Sequence, residues 1–493
     1  MFALVLTALT AVAHADTKLC DNVILREGKL SLSRNEEVLV CGSSKGKEGW
    51  RDVPLPQAEY QLKVLFQAEG FYEPRFERQG TRLFVWSGPR REIKSFATPG
   101  GVGRVVAKRK RKVVGESLTP DKMNEIENWA DTGLRSRGYG CPQVDLEAQA
   151  WDGTVVARMT PGEVQRVAKI QRSGFEGLDE EAMARYMAFE VGEIYDVRDT
   201  QITVSRLLAD GLIQSAYFTT ACRGREVDLH LFGTVGSPRL FRFGVGASTE
   251  EFPFADVWFK NTRLDARASS LTILLHASPR LQNLDASTEL YRLPWTRRSY
   301  FGPRFSVARE KERAYEVNYA KLGADLGRNF DWRKIRLRGR VGPTLNYVNT
   351  VDGIGPDNTS YLSWEGSFLL MSHVYEVFTR DQFEGWNAGL QYRGQRDGLG
   401  SEVNVDRYEV DFKYLWNIGW LSPPLFVLGT RFELIGVDAN AIVPGSARQL
   451  LPIDDRIFYG GDQNLRGFGR KSINNANLGY LCAPHAGLRI RGV

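Results

Sequence analysis

The sequence predicts an α+β part of three β-α-α-β-β units followed by a transmembrane antiparallel β-barrel, and three observations carry that prediction. The chain opens on an apolar leader of export type. A short motif then recurs at spacings of 68 and 73 residues. From about residue 238 onward, helical apolar spacing gives way to alternation with a period of two. At 493 residues the chain exceeds one ordinary domain. Hydrophobic residues make up 42% and charged residues 25%, the balance of a folded chain. The net charge of +6 is small for this length and singles out no nucleic-acid partner.

The leader, residues 2–13, reads FALVLTALTAVA and is followed by Ala13-His14-Ala15 and Asp16. An apolar core with an A-x-A site is a secretory signal peptide, here residues 1–15. The run is too short to cross a bilayer as a helix. Lys18-Leu19 precede Cys20 where a lipoprotein site requires small residues. Export places the five cysteines, Cys20, Cys41, Cys141, Cys222 and Cys482, in an oxidising compartment. Cys20 and Cys41 can close one local disulfide. The others are scattered without C-x-x-C spacing, which argues against a metal site.

The repeat is seen in 67-QAEGFYEPRF-76, 135-RSRGYGCPQV-144 and 208-LADGLIQSAYF-218. Gly70, Gly138 and Gly211 each follow a stretch of helical apolar spacing, such as Met123, Ile126, Trp129 and Leu134. Each is placed as a helix C-cap, where positive φ favours glycine. Two short strands follow each glycine; 82-RLFVW-86, 154-TVVARM-159 and 226-EVDLHL-231 close the units. The predicted bounds are 16–97, 98–162 and 163–237. The basic run Lys108-Arg109-Lys110-Arg111-Lys112 is read as the solvated first strand of the second unit, with anionic lipid headgroups as a further contact. Export removes its nucleic-acid reading.

From 238 to 493 the pattern is that of a barrel. In 407-RYEVDFKYLW-416, Tyr408, Val410, Phe412, Tyr414 and Trp416 alternate mostly with Glu409, Asp411 and Lys413. Similar alternation marks 334-KIRLRGRVG-342 and 386-WNAGLQYR-393. Strands of 9–11 residues or more match a tilted membrane crossing, and a charged second face suits a wet lumen. Eleven strands are predicted, near 239–249, 255–264, 268–278, 282–292, 300–309, 313–328, 334–348, 361–378, 384–395, 404–418 and 424–437. Gly244 and Gly246 make the first of them weak.

After the eleventh strand comes 454-DDRIFYGGDQNLRGFGRKSI-473, within a loop placed at 439–475. The repeated unit resembles the POTRA domain. This loop resembles the signature loop of the POTRA-containing outer-membrane barrel assembly superfamily, the BamA/TamA-like surface antigen family. The matching positions are an aromatic residue, Gly460-Gly461, and Leu465-Arg466-Gly467-Phe468. Three units, and Lys471-Ser472-Ile473, bring the translocation and assembly module branch nearest. The resemblance implies that the loop folds back into the lumen, with Arg466 pairing a carboxylate through its planar fork and Phe468 anchoring the tip. It also implies sixteen strands. Only twenty residues follow Ile473, so the chain is expected to be truncated after 11–12 of them.

The function so implied is an outer-membrane assembly factor of a Gram-negative-type bacterium, with its POTRA units in the periplasm. Its partners would be unfolded outer-membrane or secreted clients, outer-membrane lipid, and a TamB-like protein anchored in the inner membrane. The alternatives are a two-partner secretion exporter of the same superfamily and, from another class, a passive porin or receptor. No enzyme is expected. The sequence has no H-E-x-x-H or G-x-S-x-G, and 100-GGVGRV-105 lacks the third glycine and the Lys-Ser/Thr of a phosphate loop. No cofactor is expected.

Overall fold

The computed structural model describes residues 16–28, 30–42, 53–99, 112–248, 251–293, 296–332, 335–353, 355–372, 384–401, 403–418, 426–441, 451–458, 460, 470–472 and 482–492. The chain divides into two compact units. One comprises Met1–Arg166, Ile194–Val197 and Thr220–Val227; the other comprises Val167–Glu193, Arg198–Thr219 and Asp228–Val493. The predicted third repeat is therefore shared between them.

The first repeat contains β1 (Thr17–Lys18), β2 (Val23–Glu27), α1 (Arg34–Cys41), α2 (Leu55–Ala68), β3 (Arg75–Gln79) and β4 (Arg82–Trp86). Its sheet order is β1-β2-β4-β3, with β2 parallel to β4. Ser33 and Glu36 start α1 with a capping box, which satisfies helix donors that otherwise lack partners. Val23, Leu25, Leu62, Phe66, Leu83 and Val85 fill the core between helices and sheet. A disulfide joins Cys20 to Cys41.

The second repeat contains β5 (Ser95–Ala97), α3 (Pro120–Arg135), β6 (Gln143–Gln149) and β7 (Thr154–Thr160), in the order β5-β7-β6. One expectation is corrected here. β5 pairs with β7, so Ser95–Ala97 belong to this repeat and not to the first. Among the described residues β5 is the first strand of this sheet. Phe96 is buried and gives β5 an apolar anchor. Lys112 is helical, and residues 108–111 lie outside the described residues. The third repeat contains β8 (Arg166–Ser173), α4 (Glu180–Tyr186), α5 (Val197–Ala209), β9 (Ile213–Arg223) and β10 (Glu226–Val235), ordered β8-β10-β9.

The recurring glycine ends a helix in all three repeats. Gly70, Gly138 and Gly211 have φ of +90°, +101° and +73°. The residue after each donates its N–H five positions back: Phe71 to Phe66 at 2.8 Å, Tyr139 to Leu134 at 3.4 Å and Leu212 to Leu207 at 3.1 Å. This is the Schellman arrangement, and an apolar contact seals it. The rings of Phe66 and Phe71 meet edge to face at 6.0 Å.

One antiparallel sheet of twelve strands follows. Its strands are β11 (Arg239–Gly246), β12 (Phe254–Asn261), β13 (Ser270–Ala277), β14 (Leu281–Glu289), β15 (Ser299–Lys311), β16 (Glu316–Trp332), β17 (Ile335–Asp352), β18 (Asn358–Met371), β19 (Gly385–Gln395), β20 (Val403–Ile418), β21 (Phe426–Ala441) and β22 (Cys482–Gly492). Every strand pairs with its neighbour in sequence, and all eleven predicted strands are present. Among the described residues no ladder joins β11 to β22.

The wall is inside-out relative to a soluble protein. Tyr408, Val410, Phe412, Tyr414, Trp416 and Ile418 are exposed along β20, and Leu322, Leu326, Trp332, Leu345, Trp364 and Phe368 along β16, β17 and β18. Thr344, Asn346, Ser363 and Gln395, by contrast, are almost fully buried. Apolar outside and polar inside is the arrangement of a transmembrane β-barrel.

The third repeat is docked on turns of this wall. Asp210 follows α5, and its carboxylate lies 3.2 Å from Arg336 and 3.7 Å from Arg338 of β17. Arg336 also pairs with Asp331 at 2.9 Å, and Arg206 of α5 lies 4.0 Å from Asp331. Arg185 of α4 donates to the Arg267 carbonyl at 2.7 Å and lies 3.5 Å above the Tyr291 ring. Burial by itself would raise the Asp210 carboxyl, but Arg336, Lys260 and Arg338 outweigh it and hold it well below the usual range.

That direction sets a pH dependence. Because the folded carboxyl is the stronger acid, its stabilising effect is complete above the ordinary value of 3.8 and fades as pH falls towards the depressed one. Asp210→Asn should cost about 3 kcal/mol of docking at neutral pH, at the low end for a broken buried pair. The wild-type advantage in hydrogen exchange of α5 should shrink between pH 5 and pH 3. An advantage that grows on acidification would refute the assignment.

Candidate functional site

The chain leaves β21 at Ala441, and from Leu451 to Phe458 it lies against the inner face of the wall. Apolar side chains hold it at two places. Ile453 and Phe458 pack with Tyr315, Val317, Val348 and Tyr361 of the β16–β18 region. Leu451 and Ile457 pack with Val403, Val405 and Val437 of β20 and β21. A single 3-10 turn, Ile453–Asp455, lies between these contacts and turns two carboxylates towards the strands.

Asp455 is fully buried. It accepts from Gln395 Nε2 at 2.5 Å and from Arg393 Nη1 at 3.0 Å. Asp454 accepts from the same Arg393 nitrogen at 3.0 Å and from Lys321 Nζ at 2.9 Å, while Arg407 donates to its carbonyl oxygen at 2.7 Å. The pairing continues across the wall. Arg393 Nε lies 3.1 Å from Glu365, whose other oxygen is 2.7 Å from Arg304, and Arg304 lies 3.0 Å from Asp325. Strands β15 to β19 thus present alternating charges, and the loop's two aspartates complete the row. Buried charges persist only when so paired.

Beside this network is a cavity of about 450 Å³, lined in part by Arg304, Lys321, Glu365, Arg393 and Asp454. Its lining is polar, and that is where a water-filled lumen differs from a packed core. Arg456 turns back on its own segment, donating twice to the Leu451 carbonyl at 3.1 and 2.8 Å.

The predicted loop motif is reached only at its edge. Gly460 is buried with φ +110°, and its carbonyl accepts from Lys471 N–H at 3.3 Å. Gly461, Leu465, Arg466, Gly467 and Phe468 lie outside the described residues. The anchors that the structure displays, Asp454, Asp455, Arg393 and Lys321, were not selected from sequence. Two adjacent aspartates between Pro452 and Ile457, inside an apolar stretch, were the available signal. A second disulfide, Cys141–Cys222, was also missed, because its partners are 81 positions apart.

No family model and no curated protein sequence matches the chain. Among solved structures it is similar to BamA from Haemophilus ducreyi lacking POTRA domains 1–3, with a TM-score of 0.51 and 16% identity, over 82% of each chain. It is also similar to CdiB from Acinetobacter baumannii, at TM-score 0.42 and 13% identity over 82% of this chain and 76% of that one. CdiB from Escherichia coli aligns at 0.43 and 13%, over 77% and 73%. At such identities the first of these likenesses speaks for the fold. The chain therefore shares with that BamA a fold in which POTRA-like β/α units lead into an antiparallel barrel wall.

Proposed function

We propose that the chain is an outer-membrane assembly factor of the POTRA-barrel superfamily, which receives unfolded clients on its periplasmic units and assists their insertion through its barrel. One observation carries the reading. The lumen side of an inside-out wall is occupied by the chain's own loop, pinned through the buried Asp455 and Arg393. A loop in the lumen is shared by many barrels, but a passive pore needs no POTRA-like units ahead of the wall. Exposed edges of the small sheets, β3 and β6 among them, offer backbone groups to an extended client strand, a mode tolerant of sequence. No bond is made or broken.

Three β/α repeats favour the translocation and assembly module branch, with a TamB-like inner-membrane partner, over a two-partner secretion exporter. Arg466 of the loop is assigned the charge that seats its tip. The test uses the full chain in phosphatidylcholine liposomes and a urea-unfolded client barrel, followed by the compact migration of folded barrels on unboiled gels. Insertion should run several-fold faster than in empty liposomes. Arg466→Ala should lose most of that gain and Arg466→Lys about half of it, since a point charge replaces a bidentate fork. A rate equal to that of empty liposomes would overturn the reading. An exporter would instead carry a secreted client across without speeding insertion.

A further inference from the structure

The loop has a second stem, and its charge is opposite to the first. Arg470 Nε lies 2.7 Å from Glu312, whose side chain is 1% exposed, and Arg470 Nη2 lies 3.5 Å from Glu310. A third nitrogen, Nη1, pairs with Glu251. Next to it, Lys471 pairs with Glu310 and donates to the Tyr315 hydroxyl at 2.5 Å. The Tyr315 ring in turn lies 5.0 Å from Phe458 at the first stem. Glu310 is near the end of β15 and Glu312 is in the β15–β16 turn, but Glu251 is in the turn between β11 and β12.

Glu251 is held from several sides. Its N–H donates to Ser248 Oγ at 2.9 Å, and its carbonyl accepts from Ser248 N–H at 2.9 Å. Its carboxylate lies 3.1 Å from His276 Nε2 on β13, while His276 Nδ1 lies 2.8 Å from Asp256 on β12. Two hairpins, β11–β12 and β15–β16, therefore converge on one arginine of the loop, and β13 joins them through the His276–Glu251 contact. Arg470 and Glu251 are 219 positions apart, and both side chains are largely buried.

We infer that Arg470 and Glu251 form a clasp that couples the loop to the β11–β12 hairpin, so that loop and hairpin are held or released together. Strand β11 has eight residues and, among the described residues, pairs only with β12. Gly244 and Gly246 weaken it further. The hairpin at this end of the sheet has less ladder to hold it than β16 or β17, which run 17 and 18 residues. The loop, in contrast, is anchored through Asp455 to Arg393 and Gln395 of β19. The clasp passes that anchorage to the weakest hairpin. Breaking it frees the hairpin while the acidic stem stays seated.

Hydrogen exchange on the full chain in detergent micelles tests this. Glu251→Gln should speed exchange of the β11 and β12 amides about tenfold, the size expected for a coupled buried pair. Arg470→Gln should speed the same amides by a similar factor although it lies on a distant segment. The double variant should go no further than either single one. Exchange at Ile453–Asp455 should stay as in the wild type. Unchanged β11–β12 exchange in Arg470→Gln, or effects that multiply in the double variant, would overturn the clasp. Should Arg470→Gln fail to fold, Arg470→Lys serves instead. It should fold and show an intermediate rise at β11–β12, and a wild-type rate there would count against the clasp.

Discussion

Arg393→Met is expected to weaken the seated loop by about 3–5 kcal/mol, the range for removing one partner from a buried charge network. Arg393 faces three carboxylates at once, Asp454 and Asp455 at 3.0 Å and Glu365 at 3.1 Å. Lys321 remains near Asp454 after the change, and Gln395 remains on Asp455. Neither puts a cation in contact with the fully buried Asp455. The temperature at which compact gel migration is lost should fall by several degrees, and amides of Ile453–Asp455 should exchange faster. Adding Asp455→Asn should recover part of the loss, because a neutral amide no longer needs the guanidinium. The idea is sunk if Arg393→Met keeps the wild-type transition, or if Asp455→Asn deepens the defect.

The second large effect concerns the Cys141–Cys222 disulfide, which fastens the β9–β10 hairpin tip to the second repeat. Its surroundings are also bonded: Gln165 accepts from Gly140 N–H at 2.8 Å and donates to the Gly224 carbonyl at 2.9 Å. Arg135 donates to the Gly140 carbonyl at 2.9 Å and to Thr220 at 3.3 Å. Releasing a cross-link across 81 positions costs up to about 4.5 kcal/mol in the chain-entropy view. Cys141→Ser with Cys222→Ser should therefore raise exchange at residues 220–227 and 139–141 by tenfold or more, while β16 and β17 stay protected. If those segments exchange as in the oxidised wild type, Gln165 and Arg135 alone carry the joint.

Much of the architecture was legible because it rests on local periodicity. Alternation along β20 placed Tyr408 to Trp416 on one face, and those residues are exposed in the structure. The repeat glycines were legible for a similar reason, since a helix C-cap with positive φ is a requirement confined to a few neighbouring residues. The boundary between the first two repeats was placed too late, because β5 is a short strand with one buried aromatic, Phe96, and gives little local signal.

By itself the sequence determined the kind of element at each position, the spacing of the repeats, and the apolar and charged faces of the barrel strands. These follow from side-chain direction along a helix or a strand, which neighbouring residues settle among themselves. Only the tertiary structure decided which charges meet. Lys321 reaches Asp454 across 133 positions, and Arg470 reaches Glu251 across 219. Such a pairing depends on the register of every ladder between the partners, and a slip of one residue turns a side chain to the other face. The loop's anchors are therefore a property of the assembled wall. The outward alternation could be read residue by residue, but the salt bridges inside had to wait for the strands to be counted in register.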